Sequence, residues 1–276
     1  GWSLQPEGCQ GDGIRMGVAA GGVTCDDNVA NGIWTPMSAM RDARGQLTVF
    51  PHLVFDRHCP GSIVVDAAGR RFVNESFHYQ NFVNTMHRHG MDRAWLIADH
   101  TFQRKYGLGM AGPAPASVQP FVDAGYLVRG ASLAELAAKV GIDAATLEAT
   151  VNEFNRHAAN GHDPAFHRGE DYYSRFMGDA SHGPNPGLAP ITSGPFYALE
   201  LRPGDLSSLR GLKANASAQV LDAAGKAIEG LYVAGVDMNS MMKGCYPGGG
   251  SSLGPAMTFG YIAAMQLAGH PATPHP

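Results

Sequence analysis

The sequence predicts a mixed fold, α+β with an α/β portion, and three observations predict it. A capped pair of amphipathic helices occupies the middle of the chain. Short apolar runs bounded by turn residues flank it on both sides. Near the C-terminus an apolar strand passes through three consecutive glycines into a helical run, "KGCYPGGGSSLGPAMTFGYIAA" (243–264). The chain has 276 residues, 44% of them apolar, enough for one substantial core or two modest ones.

Taken in order, "GDGIRMGVAAGG" (11–22) reads as a short helix, with Asp12 near its start and glycines closing it. "LTVFPHLVF" and "SIVVDAAGRRFVN" read as strands, the second turning at Asp66 to Gly69. From Gln80 to His89, and again from Met91 to Lys105, the pattern is helical. In "ASLAELAAKVGIDAATLEATVNEFNRHAA", Ser132 and Glu135 form a capping box, Gly141 stops the first helix and Asp143 caps the second. Leu147, Val151 and Phe154 share one helical face and are assigned to the core.

Residues 158–195 are rich in Gly, Pro, His and Asp, too long for an ordinary connection. They are either a functional loop or a wrap over another surface. "PFYALEL", "AQVLDAAGKAI" and "GLYVAGV" then read as strands, with a tight turn at Asp222 to Gly225. The last helix is expected to run for about a dozen residues and to end near Gly269.

Net charge is −4 with no long run of one sign, which favours neither nucleic acid nor an anionic membrane as partner. No apolar run is long enough to span a bilayer and no secretory signal opens the chain. Cys9, Cys25, Cys59 and Cys245 are scattered and read as reduced thiols, so a cytoplasmic location is expected. Neither HExxH nor a Cys/His cluster supports a metal, and His87 and His89 read as a solvated helix face. The abrupt start at Gly1 suggests a fragment of something longer.

The glycine run invites a chemical reading. Pro255 suits the first turn of the final helix, where its missing N–H costs nothing. The amides of Ser251, Ser252 and Leu253 would then point outward at the positive end of the helix dipole, able to meet negative charge. Gly248, Gly249 and Gly250 lack Cβ atoms and let a flat group approach closely. On residue types alone, a glycine-rich turn serving only helix–strand packing explains the run as well. A P-loop does not, because no GK[ST] follows.

"GLYVAGVDMNS…CYPGGGSSLGPAMTFGYIAA" resembles the C-terminal signature of the fumarate reductase/3-ketosteroid Δ1-dehydrogenase flavoprotein superfamily. "DAAGRRFVNESFHY" (66–79), "GPFYALELRPGDLSSLRGLKANASAQVLD" (194–222) and "GDGIRMGVAAGG" agree with it in order, so the resemblance spans nearly the whole chain. It implies an FAD-binding Rossmann-like domain interrupted by a substrate-capping domain. Residues 1–33 would end the first FAD segment, 34–193 would form the cap, and 194–276 would return to the FAD domain. The family's GxGxxG fingerprint is not found here, so the dinucleotide-binding βαβ unit and the adenosine-diphosphate site are expected in a missing N-terminal half.

The resemblance also implies roles. Ser251, Ser252 and Leu253, with Gly249, would hold the pyrimidine end of the flavin and stabilise its reduced charge. Gly235 and Asp237 would lie by the ribityl chain, where relatives have Glu or Asn and this chain has Val236. Tyr246 and the Gly250 amide would bind a substrate ketone and stabilise the enolate formed when an adjacent C–H is lost. Tyr79 would take that proton, with help from its surroundings, since a free tyrosine has a pKa of about 10. Hydride from the next carbon would go to the flavin. The plainer readings are a loop tyrosine stacked on Pro247 for Tyr246 and a partly buried helix tyrosine for Tyr79. Asn74 and Glu75 read as structural, with Arg70 or Arg71 as ion partners.

Two alternatives accompany this reading. Fumarate reductases have arginines where this chain has Tyr79 and Pro247, and a histidine that "RPGDLSSLRGL" lacks. A dicarboxylate needs such cations, so a neutral ketone or enone fits better than a carboxylate. The other alternative is a flavin-free, inactive fragment.

Overall fold

The structure, a computed structural model, describes residues 2–42, 44–54 and 56–270. In chain order the elements are β1 (Trp2–Ser3), α1 (Asp12–Ala19), β2 (Gly32–Arg41), β3 (Leu47–Pro51), β4 (Ser62–Val65) and α2 (Tyr79–Arg88). Next come β5 (Ala94–Ala98), α3 (His100–Tyr106), α4 (Gln119–Asp123), β6 (Leu127–Gly130), α5 (Leu133–Val140) and α6 (Ala144–Ala158). Then follow α7 (Tyr172–Met177), β7 (Phe196–Ser208), β8 (Gln219–Leu221), β9 (Ala227–Tyr232) and α8 (Leu253–Leu267). The fold is mixed α/β. Phe55, at the end of the expected strand "LTVFPHLVF", lies outside the described residues.

The chain divides into two units. One is Trp34–Gly204 with Trp2; the other is Ser3–Ile33 with the residues from Asp205 on. The first unit is built on a sheet in the order β3-β2-β7-β5-β4, with β6 also pairing to β7. The pairs β2·β3, β4·β5, β5·β7 and β6·β7 are all antiparallel. Each face of this sheet is covered. Val64, Leu96 and Leu199 face a core with Phe82, Val83 and Met86 of α2. Ile63, Ile97 and Ala198 face the helical pair, through Leu136, Leu147, Val151 and Phe154. The helical pair forms as its sequence predicts: Ser132 Oγ accepts from Glu135 N, Gly141 closes α5 at φ +74°, and Asp143 accepts from Thr146 N.

Two expectations are corrected here. Residues 91–105 do not form one helix: "AWLIA" is the central strand β5, and α3 begins only after Asp99, whose side chain accepts from Phe102 N. All five β5 residues are buried, so no polar alternation marks the strand, and an apolar run of this kind looks the same in either state. Residues 196–201, assigned by sequence to the returning segment, belong to the first unit, because they pair with both β5 and β6.

The 158–195 segment is a wrap over the first unit. Asn185 Nδ2 donates to the carbonyls of Gly161 and Arg168, and Asn155 exchanges hydrogen bonds with the backbone of Ile191. The second unit is smaller. The β8–β9 hairpin turns at Asp222, which accepts from Lys226 N and Gly225 N. Its core gathers Leu212, Val220 and Val233. Helix α1 packs there through Gly17, where a Cβ would come within 2.2 Å of Leu212.

Candidate active site

In the second unit the chain leaves β9 and turns through Gly235, Val236 and Asp237. It then runs beside the 24–30 segment. Asn28 and Asn239 exchange side-chain hydrogen bonds, and Gly244, at φ +83°, leaves no room for a Cβ beside Ala30 O. This fixes the turn just before Cys245 and Tyr246. Tyr246 itself is half-buried and has an interaction partner.

The glycines beyond it are of two kinds. Gly248 and Gly250 have φ of +147° and +91°, which L side chains rarely adopt. Gly249 has no such constraint, and a Cβ on it would meet nothing within 4 Å. Neither backbone conformation nor packing within this chain calls for glycine there.

Helix α8 starts at Leu253, with Pro255 in its first turn as expected. The Gly250 carbonyl accepts from Gly254 N at 2.8 Å. Among the described residues the N–H groups of Gly250, Ser252 and Leu253 donate to nothing. Ser251 differs from expectation: both its N–H and its hydroxyl turn back to the Gly248 carbonyl. A tight turn leading into a helix satisfies its first amide internally.

This helix tip opens on a cavity of about 290 Å³ lined mostly by apolar atoms. Gly235, Val236, Met238, Ser252, Leu253 and Phe259 are in its wall, and Ser251 also borders it. Asp237 and Gly249 are not in that wall. The Asp237 carboxylate lies against α1, where a Cβ on Gly13 would come within 2.2 Å of its oxygen. Among the described residues, no Lys or Arg lines the cavity.

In the first unit Tyr79 opens α2 and is 8% exposed. His78 is the N-cap: its Nδ1 accepts from Gln80 N at 3.3 Å, and its ring lies 4.0 Å from that of Tyr79. Burial, helped by the Arg57 charge, lowers the His78 pKa to about 4, so the imidazole is neutral near pH 7 and able to accept. The turn before it is held by buried charge. Glu75 accepts from Arg71 and Val64 N, while Arg71 also grips Asp163. The sequence reading of Glu75 as structural is met, with Arg71 and not Arg70 as partner.

Sequence reasoning missed several neighbours. Arg57 is fully buried and donates to the carbonyls of His52, Leu53, Glu75 and Phe77. Burial lowers its pKa to about 10, against the pull of Asp56. His58, also fully buried, has both ring nitrogens without a hydrogen-bond partner, and burial drives its pKa to about 2. The Tyr173 ring stands 5.8 Å from both the His58 and His78 rings. The available signal was "RFVNE" itself: a glutamate in an apolar strand-to-helix turn calls for cations, of which Arg71 comes from within the motif and Arg168 from remote sequence.

The chain is 43% identical, over 94% of its length, to the 4-oxocyclohex-2-ene-1-carboxylate 5-dehydrogenase of Sinomonas cyclohexanicum. It is 39% identical, over 77% of its length, to a 3-oxosteroid 1-dehydrogenase of Mycobacterium tuberculosis. It covers 44% and 39% of those two proteins, so it spans less than half the length of either relative. The crystal structure of the 3-ketosteroid delta1-dehydrogenase from Sterolibacterium denitrificans superposes with a TM-score of 0.87 at 35% identity. That superposition covers 97% of this chain and 48% of that one. With residues 1–253 matching its model, the chain belongs to the FAD binding domain family.

Proposed function

We propose that this chain forms part of an FAD-dependent dehydrogenase that desaturates, or saturates, the C–C bond next to the ketone of a cyclic substrate. In this reading the second unit is part of the flavin lobe and the first is the substrate cap. The nucleotide-binding portion lies in sequence beyond these residues. The observation that carries the reading is the α8 tip, with three unspent N–H groups around a glycine that nothing in the chain requires. Flavin fits these residues: Ser252 and Leu253, whose amides are unspent, stand in the wall of an apolar cavity, and beside them a Cβ on Gly249 would meet nothing within 4 Å, which leaves room for a flat ring.

Bound flavin supplies the two-electron acceptor. Ser252 and Leu253 hold its electron-rich edge through their amides, and Ser251 shapes the turn rather than donating. Gly235 would lie by the ribityl chain, with Asp237, whose carboxylate is turned to Gly13, beside it. Tyr246 donates to the substrate ketone and Gly250 N–H supplies the second donor, so that negative charge developing on oxygen is met by preplaced dipoles. Tyr79, acting as its phenolate, would accept the proton from the carbon beside that ketone.

The test is flavin absorbance near 450 nm, measured on the chain alone and on the chain joined to a nucleotide-binding segment. Dehydrogenase activity on cyclic ketones is then followed with an artificial electron acceptor. Tyr246→Phe is expected to lower kcat about a hundredfold. An unchanged rate removes Tyr246 from the mechanism, and a joined protein that stays colourless removes the flavin.

A further inference from the structure

The 158–195 segment reaches the Tyr79 turn at two points. Arg168 enters the first unit with its side chain fully enclosed. Its Nη1 donates to Ser62 O at 2.6 Å and reaches Glu75 Oε2 at 3.4 Å. Its Nη2 donates to Arg57 O at 3.1 Å and Cys59 O at 2.8 Å. One guanidinium therefore joins the Arg57–Ser62 stretch to Glu75. Arg57 in turn clamps the carbonyls of Glu75 and Phe77, on the approach to His78 and Tyr79. Beyond Arg168, Tyr173 sets its ring against the His78 imidazole, which lies 4.0 Å from the Tyr79 ring at a tilt of 34°.

The segment is fixed closely enough to transmit position. Asp163 accepts from Arg71 and from Arg168 N, and Asn74 Nδ2 donates to Phe166 O. A Cβ on Gly169 would come within 2.2 Å of the Asn185 side chain, and Gly169 sits at φ +76°. A packed interior passes a displacement on to its neighbours.

We propose that the 163–173 segment sets the position of Tyr79, with Arg168 and Tyr173 as positioning residues. The proposal rests on the role given to Tyr79 above. Arg168 holds the Glu75 carboxylate of the turn and the carbonyl of Arg57, which itself holds the turn's backbone; Tyr173 sets its ring against that of His78, next to the phenol. A lysine at 168 keeps the charge but has no planar fork to serve carbonyls and carboxylate together.

The experiment labels the chain with 3-fluorotyrosine and assigns the Tyr79 resonance by Tyr79→Phe. Its line width and titration midpoint are followed in Arg168→Lys, Tyr173→Ala and Tyr173→Phe, with circular dichroism checking the fold. Arg168→Lys and Tyr173→Ala are expected to broaden the Tyr79 line and move its midpoint by about half a pH unit or more. Tyr173→Phe, which keeps the ring, is expected to restore both. In the flavin-loaded full-length enzyme the first two variants should lower kcat about tenfold or more while KM changes little. Tyr173 is half-exposed, so Tyr173→Ala decides the matter even where Arg168→Lys fails to fold. An unaltered Tyr79 line and midpoint in Tyr173→Ala overturn the proposal. Full activity in Tyr79→Phe overturns instead the role of Tyr79, and the two failures are read separately.

Discussion

The two units treat polar and apolar groups in opposite ways. The first buries charge and matches it: Glu75, Arg71, Asp163 and Arg168 form one hydrogen-bonded set between sheet and wrap. A second buried chain runs from Asp56 through His52 and Ser38 to Tyr126. The second unit instead leaves apolar groups uncovered. Helix α8 is apolar on all sides, yet none of its residues is buried, and Leu253, Met257, Tyr261 and Leu267 are 63–68% exposed. A helix of that composition is ordinarily enclosed. The first unit's stability is thus set by its own interior, while the second shows surface that suits a partner or a cofactor. Chemistry is expected where donors and apolar area are left unspent.

The largest effect should come from breaking the matched charge. Glu75→Ala leaves Arg71 and Arg168 short of a partner and should cost about 3–5 kcal/mol. Urea unfolding followed by tryptophan fluorescence measures this in the first unit, since Trp2, Trp34 and Trp95 all lie there. Leu96→Ala, a cavity in β5, should cost about 3 kcal/mol by the same measurement. A loss below 1 kcal/mol in either variant would mean that this interior is less tightly coupled than its packing shows.

The histidines give a pH signature for the same unit. His58 and His78 have folded pKa values lowered by burial, to about 2 and about 4. Their full contribution to stability is present above the unfolded value near 6.5. As pH falls below that value the unfolded chain binds protons that the folded one refuses, and stability drops. Between pH 6.5 and 4 unfolding should take up one to two protons, at about 1.4 kcal/mol per pH unit for the enclosed His58 and less for the partly exposed, solvent-screened His78. His58→Leu should remove about one proton from that slope; an unchanged slope would exclude His58 as its source.

The smallest effect sharpens the contrast. Met257→Ala on α8 should alter stability by no more than about 0.5 kcal/mol, because the side chain has little to lose in this chain. Hydrogen exchange of the β8–β9 amides measures it. A loss comparable to that of Leu96→Ala would show α8 to be packed.

Much of the local structure was legible. Ser132, Gly141 and Asp143 marked helix ends because a cap is satisfied within a few residues of chain. The Asp222 turn and α1 were legible for the same reason, and the glycine run pointed to the α8 tip. β5 was not legible, because burial on both faces erases the alternation that identifies a strand. Arg57 and Arg168 were not either, since an arginine inside a polar stretch carries no mark of the carbonyls it will find. Ser251 looked like a free donor until its amide was seen turned to Gly248.

The sequence by itself determined the helix caps, the turns, the core face of α6 and the presence of an amide-rich helix start after Gly250. These depend on interactions within a turn or two of chain, which residue type and spacing encode directly. Only the tertiary structure decided that 91–105 contains a central strand, that Asp237 turns to Gly13, and that Arg168 reaches Glu75 in the turn before Tyr79. Each of these depends on partners far away in sequence, where the geometry of the folded chain selects one contact among many that the residue types allow.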